Sequence, residues 1–163
     1  MSSHSAARHV PVIVTFVVAL ALMMLPLPRA VDTFRPDWVL LVAVFWSLRV
    51  PRSYGVGVAF LLGVVLDVAQ GTLLGQHALA LCVVAFLVVK FHLQIRVFPL
   101  LQVTATVFAL NALYQFLLFW INGVAGIAAP ASTYWGPVVT GAIFWPPLFL
   151  FLNGIRYQAY ARG

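Results

Sequence analysis

The sequence predicts an all-α integral membrane protein, a single domain folded as a six-helix transmembrane bundle. Composition is the first reason, because 64% of the 163 residues are hydrophobic and 7% are charged, whereas a soluble domain is about 25% charged. Six apolar segments in succession are the second reason, and the placement of the cations between them is the third. At about 20 apolar residues per span, this length leaves no room for a separate soluble domain.

The six predicted spans differ in length and in the polar residues that they carry. The first is longer than the apolar part of a secretory signal, so we expect it to be retained. The second and fourth are short for a membrane core about 30 Å thick, so their ends must use loop residues or the bilayer must thin. The third carries small residues, the fifth a polar stripe and the sixth two adjacent prolines. The predicted spans are 10–27, 37–48, 54–70, 77–89, 97–121 and 134–153.

The positive charges predict the orientation, because short cytoplasmic loops accumulate Lys and Arg. Six spans with an inside N-terminus leave only Arg29 and Arg35 outside, beside Asp32 and Asp37, and both termini are then cytoplasmic. The cations are scattered singly, so membrane topology explains the net charge of +6 better than nucleic-acid binding. The expected surroundings are membrane lipid, with no nucleic acid. The cations predicted inside are Arg8, Arg49, Arg52, Lys90, Arg96, Arg156 and Arg162.

A row of small residues that contains one acid occupies the third span. Its members recur at every fourth position and therefore share one helical face. Small residues allow helices in a membrane to approach closely, and a charge near the membrane centre costs about 2.5 to 3.5 kcal/mol. We therefore expect the acid to face protein, with Gln70, Gln76 and His77 as candidate neighbours and either a proton relay or a structural role for His77. The row is Gly55, Ala59, Gly63, Asp67, Gly71 and Gly75.

A polar stripe is predicted on the fifth span, where Thr104, Asn111 and Gln115 recur at helical spacing. One interpretation is hydrogen bonding between helices that positions this span. The other is a binding cavity for a small molecule or a lipid, formed together with Asp67.

Catalysis is not expected from this sequence. The chain contains no glutamate, no His/Cys/Asp cluster at the spacing of metal ligands and no phosphate-binding glycine loop. A nucleophile with a base, a pair of acids or a metal would be needed. We therefore expect no enzymatic activity, no metal and no cofactor.

Two stretches, "FRPDWVLLVAVFW" (34–46) and "GVGVAFLLGVVLDVAQGTLLGQHALAL" (55–81), resemble the rod shape-determining protein MreD family. In addition, "FWPPLFL" (144–150) is similar to a Trp-Pro element in the last span of that family. The resemblance covers nearly the whole chain, although the first span and the tails match only in character. The positions that carry it are Arg35, Pro36, Trp38, Gly63, Asp67, Gly71, Leu74, Gly75, Ala78, Trp145 and Pro146.

The resemblance implies a location in the bacterial inner membrane and a fold similar to the substrate-binding subunits of energy-coupling-factor transporters. It also implies a non-catalytic scaffold of the elongasome that binds MreC directly. RodA, a class B penicillin-binding transpeptidase and MreB would act in the same complex, which organises peptidoglycan synthesis and maintains rod shape. The row from Gly55 to Gly75 would then pack spans within the protein or receive the helix of MreC, and Arg35, Pro36 and Trp38 would shape the outer end. The alternative function is a transporter-type subunit that binds a small molecule or a lipid.

Overall fold

A computed structural model describes residues 2–127 and 129–161, with side chains from His9 onward. This part of the chain is entirely helical apart from turns and short connections, which confirms the all-α prediction. Each predicted span overlaps one helix of at least 12 residues, and a single helical turn lies between the first and the second. The helices are α1 (Ser2–Met24), α2 (Arg29–Asp32), α3 (Trp38–Arg49), α4 (Val56–Gln70), α5 (Gln76–Arg96), α6 (Leu100–Val124) and α7 (Ser132–Ala161).

Three of the described helices, α5, α6 and α7, are long and apolar enough to cross a membrane. The other apolar helices are shorter, namely His9–Met24 within α1, together with α3 and α4. Helix α5 continues to Arg96, beyond the predicted end of the fourth span at residue 89. The predicted span ended at residue 89 because hydropathy falls at Lys90. The residues from Lys90 to Arg96 contain no glycine or proline, so the helix continues past the apolar segment.

Helix α3 occupies the centre of the bundle. Every residue from Val39 to Leu48 is buried, and helices α1, α5, α6 and α7 all contact it. A helix that is apolar on all sides is typical of this enclosed position. One polar contact ties it to its neighbour, because the indole Nε1 of Trp46 donates to the Thr15 hydroxyl of α1 at 3.0 Å. The shortness of α3 is therefore compatible with a fully surrounded core helix.

The outward faces of the surrounding helices are strongly apolar. Large side chains such as Phe60, Phe86, Phe116 and Phe151 are at least half exposed. Soluble monomers rarely expose apolar surface in extended patches. The fold therefore has the surface expected of a membrane protein.

Candidate functional site

The buried face of α4 packs directly against the start of α5. Ala59, Gly63 and Asp67 are all buried on this face. A Cβ atom added at Gly63 would lie 2.2 Å from the Ala78 Cα and 2.8 Å from the His77 carbonyl carbon. The two backbones are therefore in contact at Gly63, where only a hydrogen atom fits.

The remaining glycines of the row lie outside the body of α4. Gly55 precedes its first residue, Gly71 follows its last residue with a φ of 64°, and Gly75 precedes α5 with a φ of 96°. These left-handed conformations favour glycine, and after Gly71 the Thr72 N–H donates to the Asp67 carbonyl oxygen at 3.1 Å. The continuous helical face is thus limited to Ala59, Gly63 and Asp67, because the chain turns at Gly71.

The Asp67 carboxylate caps the N-terminus of α5. It is 1% exposed and accepts the N–H of Gly75 at 2.8 Å and the N–H of His77 at 3.0 Å. The Thr72 hydroxyl also donates to it at 3.0 Å. Because Gly75 has no side chain with which to cap α5, the acid of the preceding helix takes that role, and a negative charge is favourable at a helix N-terminus.

The His77 ring completes this cluster. Its Nδ1 lies 2.7 Å from the Asp67 Oδ1, within hydrogen-bonding distance. The side chain is 7% exposed, and the ring centroid lies 6.3 Å from that of Tyr114. The cluster of Asp67, Thr72, Gly75 and His77 therefore joins α4, the connecting turn and α5.

The members of the polar stripe on α6 bond to three different partners. The Thr104 hydroxyl donates to the Leu100 carbonyl of its own helix at 2.8 Å. The Asn111 amide donates to the Pro137 carbonyl of α7 at 3.2 Å, and the Gln115 amide donates to the Asp37 carboxylate at the start of α3. Asn111 and Gln115 thus connect α6 to two neighbouring helices, whereas Thr104 does not.

Arg35 connects the end of α1 to the segment before α3. Its guanidinium donates to the carbonyls of Met23 and Leu25 and forms an ion pair with Asp32 at 2.9 Å. Arginine commonly satisfies the last carbonyls of a helix in this way. The next residue, Pro36, is buried.

Trp38 brings the same segment against α7. Its ring meets Phe144 edge-to-face, with 5.4 Å between the centroids. Arg35, Pro36 and Trp38 therefore all make contacts within the protein, at the place where α1, α3 and α7 come together.

Sequence reasoning missed the role of Asp37, which it counted only as a charge on the outer side of the membrane. The side chain is 8% exposed and is the acceptor for Gln115. Its position directly before an apolar helix is a recognisable signal for a helix start, although it makes no side-chain hydrogen bond as a cap. Its partner on α6 could not be read from the sequence.

The polar side chains described above form hydrogen bonds that hold neighbouring helices together. No group of three His, Cys, Asp or Glu side chains among residues 9–127 and 129–161 could hold a metal ion. Asp67, Asn111 and Gln115 have separate partners. Gln115 borders a mainly apolar cavity of about 160 Å³ between α6 and α7, together with Phe116, Phe119 and Tyr134.

Comparison with known proteins identifies the family. The family model described as rod shape-determining protein MreD matches residues 3–155. The chain is also 30% identical over 148 residues to the rod shape-determining protein MreD of Haemophilus influenzae, covering 86% of this chain and 87% of that protein. No solved structure matches the chain. Together with the apolar helical fold, these matches show that the chain belongs to the MreD family of rod shape-determining proteins.

Proposed function

We propose that this chain is a non-catalytic scaffold of the bacterial elongasome, which binds MreC and helps to organise the peptidoglycan synthases. The observation that carries the proposal is membership of the MreD family over nearly the whole chain. The physical support is an all-helical fold whose outward faces are apolar. Such a protein acts chiefly by contacts with other membrane helices, which depend on close packing and polar bonds.

The proposed topology is six spans through the inner membrane, with both termini in the cytoplasm. The three long helices and three shorter apolar helices support this count, as does the location of Arg49 and Arg96 at the ends of α3 and α5. A reporter fused to the C-terminus tests it. A cytoplasmic signal is expected, and a periplasmic signal would refute an even number of spans with an inside N-terminus.

The proposed MreC contact is the outer end of the bundle, where Arg35, Pro36 and Trp38 hold α1, α3 and α7 together. Their side chains face inward, so we assign them the shaping of this surface rather than the contact itself. Phe34 is 60% exposed immediately before them and is available to a partner. For the α4 row we favour internal packing over capture of the MreC helix, because Gly63 already contacts α5.

Co-purification tests this contact directly. Tagged chain and MreC are co-expressed, solubilised in mild detergent and captured, and the retained proteins are identified. Phe34→Ser should reduce the captured MreC several-fold, whereas the matched control Phe91→Ser, an exposed aromatic at the opposite end, should not. Equal capture by the two variants would exclude this surface.

The scaffold role is tested in a rod-shaped bacterium that is depleted of its own MreD. Expression of the chain should restore cell width and should return RodA, the class B penicillin-binding transpeptidase and MreB to the material captured with MreC. Restored capture without restored width would contradict a role in organising the synthases.

The alternative, a subunit that binds a small molecule or a lipid, has one supporting observation. The cavity beside Gln115 is mainly apolar and has an amide at its border. Asp67 and Asn111, however, are engaged elsewhere. A specific small molecule retained by the purified chain and lost in Gln115→Leu would favour this alternative.

A further inference from the structure

A cavity bordered by arginines lies at the end of the bundle that we propose to be cytoplasmic. Its volume is about 140 Å³, and Arg49, Arg96 and Phe149 line it. Arg49 ends α3 and Arg96 ends α5. Arg156 of α7 is close enough for its charge to act on Arg49. We call this site the arginine cavity.

No carboxylate side chain balances these charges. The chain has three acidic residues in all, and two of them lie at the far ends of the same helices. Asp37 precedes α3, which Arg49 ends, and Asp67 caps the start of α5, a helix roughly 30 Å long at 1.5 Å per residue. The third acid pairs with Arg35. Among the described residues, the arginine cavity therefore keeps a net positive charge.

Contacts within the protein explain part of this arrangement. The Arg96 Nη2 donates to the Arg49 carbonyl at 2.6 Å, and a cation at a helix C-terminus gains about 0.3 to 1 kcal/mol from the helix dipole. These contacts add no negative ion. In addition, the buried Nε atoms of Arg49 and Arg156 have no hydrogen-bond partner among the described residues, which is costly for a donor on a charged group.

The stacking of Arg49 leaves its hydrogen-bonding edge available. Its guanidinium carbon lies 4.9 Å from the centre of the Phe149 ring. A ring on one face of a guanidinium restricts its plane, while the N–H groups remain in that plane. This fork matches the oxygens of a phosphate.

The other walls of the cavity favour a phosphate that is attached to an apolar molecule. Leu48, Ile95, Phe98 and Val103 line it beside the two arginines. A free phosphate ion would lose bound water where it meets these four apolar side chains, and they offer it no hydrogen bond in return. The phosphate of a lipid headgroup instead brings an apolar continuation that these walls can contact.

We propose that the arginine cavity binds a phosphate-bearing anion, and that the source is the headgroup of an anionic phospholipid in the surrounding leaflet. This inference rests on the membrane location included in the proposed function, but it does not depend on MreC or on cell shape. Purified chain can therefore test it separately.

The experiment follows thermal unfolding of the full chain in non-ionic detergent by tryptophan fluorescence. Dihexanoyl phosphatidylglycerol, dihexanoyl phosphatidylcholine and inorganic phosphate are titrated in parallel, because a ligand that binds only the folded state raises the Tm. We expect a saturable rise with the phosphatidylglycerol alone. An equal rise with phosphatidylcholine would overturn the charge argument, and an equal rise with inorganic phosphate would overturn the lipid source.

Two variants locate the site. Arg49→Gln should weaken the apparent affinity for phosphatidylglycerol about tenfold, as expected when a charge-assisted contact is lost. Arg52→Gln, at an exposed position of the following turn, removes the same charge and should change the affinity less than about twofold. Should Arg49→Gln fail to elute as folded protein, Arg96→Gln provides the test, since Arg96 lines the cavity and its replacement leaves Arg49 stacked on Phe149. Equal affinities in the cavity variant and in Arg52→Gln would refute the proposal.

Discussion

Replacement of Gly63 by alanine tests whether the contact between α4 and α5 holds the bundle together. The added Cβ would lie 2.2 Å from the Ala78 Cα and 2.4 Å from the Ala78 nitrogen. Both atoms belong to backbone, so no side-chain rotation can relieve the overlap. To reach an ordinary contact of about 3.4 Å the two helices must separate by roughly 1.2 Å, and overpacking of this kind costs about 1 to 3 kcal/mol.

The same separation would act on the Asp67 cap. The His77 N–H lies 3.0 Å from the carboxylate, so a shift of about 1.2 Å along this direction would take it beyond hydrogen-bonding distance. A hydrogen bond to a charged group contributes about 1.5 to 3 kcal/mol. We therefore expect Gly63→Ala to lower the free energy of unfolding by about 3 kcal/mol, and by more if the cap is lost.

Unfolding by sodium dodecyl sulfate in mixed micelles, followed by circular dichroism, measures this difference. Gly57→Ala is the matched control, because it lies on the same helix and its added Cβ has nothing within 4 Å. Alanine is a better helix former than glycine, so this control should be neutral or stabilising by up to about 1 kcal/mol. The argument for close packing is wrong if the free energies of unfolding of the two variants differ by less than about 0.5 kcal/mol, the range of an ordinary surface substitution.

Three further predictions use the same unfolding measurement. Asp67→Asn places an amide donor against backbone N–H groups and should cost about 1 to 3 kcal/mol, whereas Asp32→Asn, on an exposed side chain, should stay within about 0.5 kcal/mol; equal effects would contradict the capping role. Gln115→Leu removes the donor to the buried Asp37 and should cost about 1 to 3 kcal/mol; an unchanged stability would show that this contact contributes nothing. Gly141→Ala should cost about 1 kcal/mol, less than Gly63→Ala, because the atom that it meets at 2.1 Å belongs to a side-chain amide that can rotate; a cost as large as that of Gly63→Ala would contradict this distinction.

Composition and hydropathy predicted where the helices lie, because a membrane helix requires a continuous apolar segment and such a segment can be read directly from the sequence. Each apolar segment of this chain overlaps one helix, and the all-α prediction is confirmed. Helix α3 shows what hydropathy leaves out. A wholly apolar helix looks the same in sequence whether lipid or protein surrounds it, so its enclosed position between Val39 and Leu48 appeared only in the structure.

The spacing of four predicted which residues of α4 share a face, since helical geometry alone fixes that relation. Ala59, Gly63 and Asp67 are indeed buried together. The predicted spans 54–70 and 77–89 placed a turn at Gly71 and Gly75, where the structure has left-handed glycines. His77 was a candidate neighbour of Asp67 from the sequence, but the hydrogen bonds that join them appeared only in the structure.

The enclosure of α3 has a consequence for biogenesis. During synthesis α3 emerges from the ribosome before α5, α6 and α7, three of the helices that contact it. Until those segments are inserted, the apolar sides of α3 contact the insertion machinery or acyl chains. Asp37 has no hydrogen bond from Gln115 until α6 has been made. The packing around α3 can therefore be completed only after translation has passed Leu152, the buried residue nearest the C-terminus in the described part of the chain.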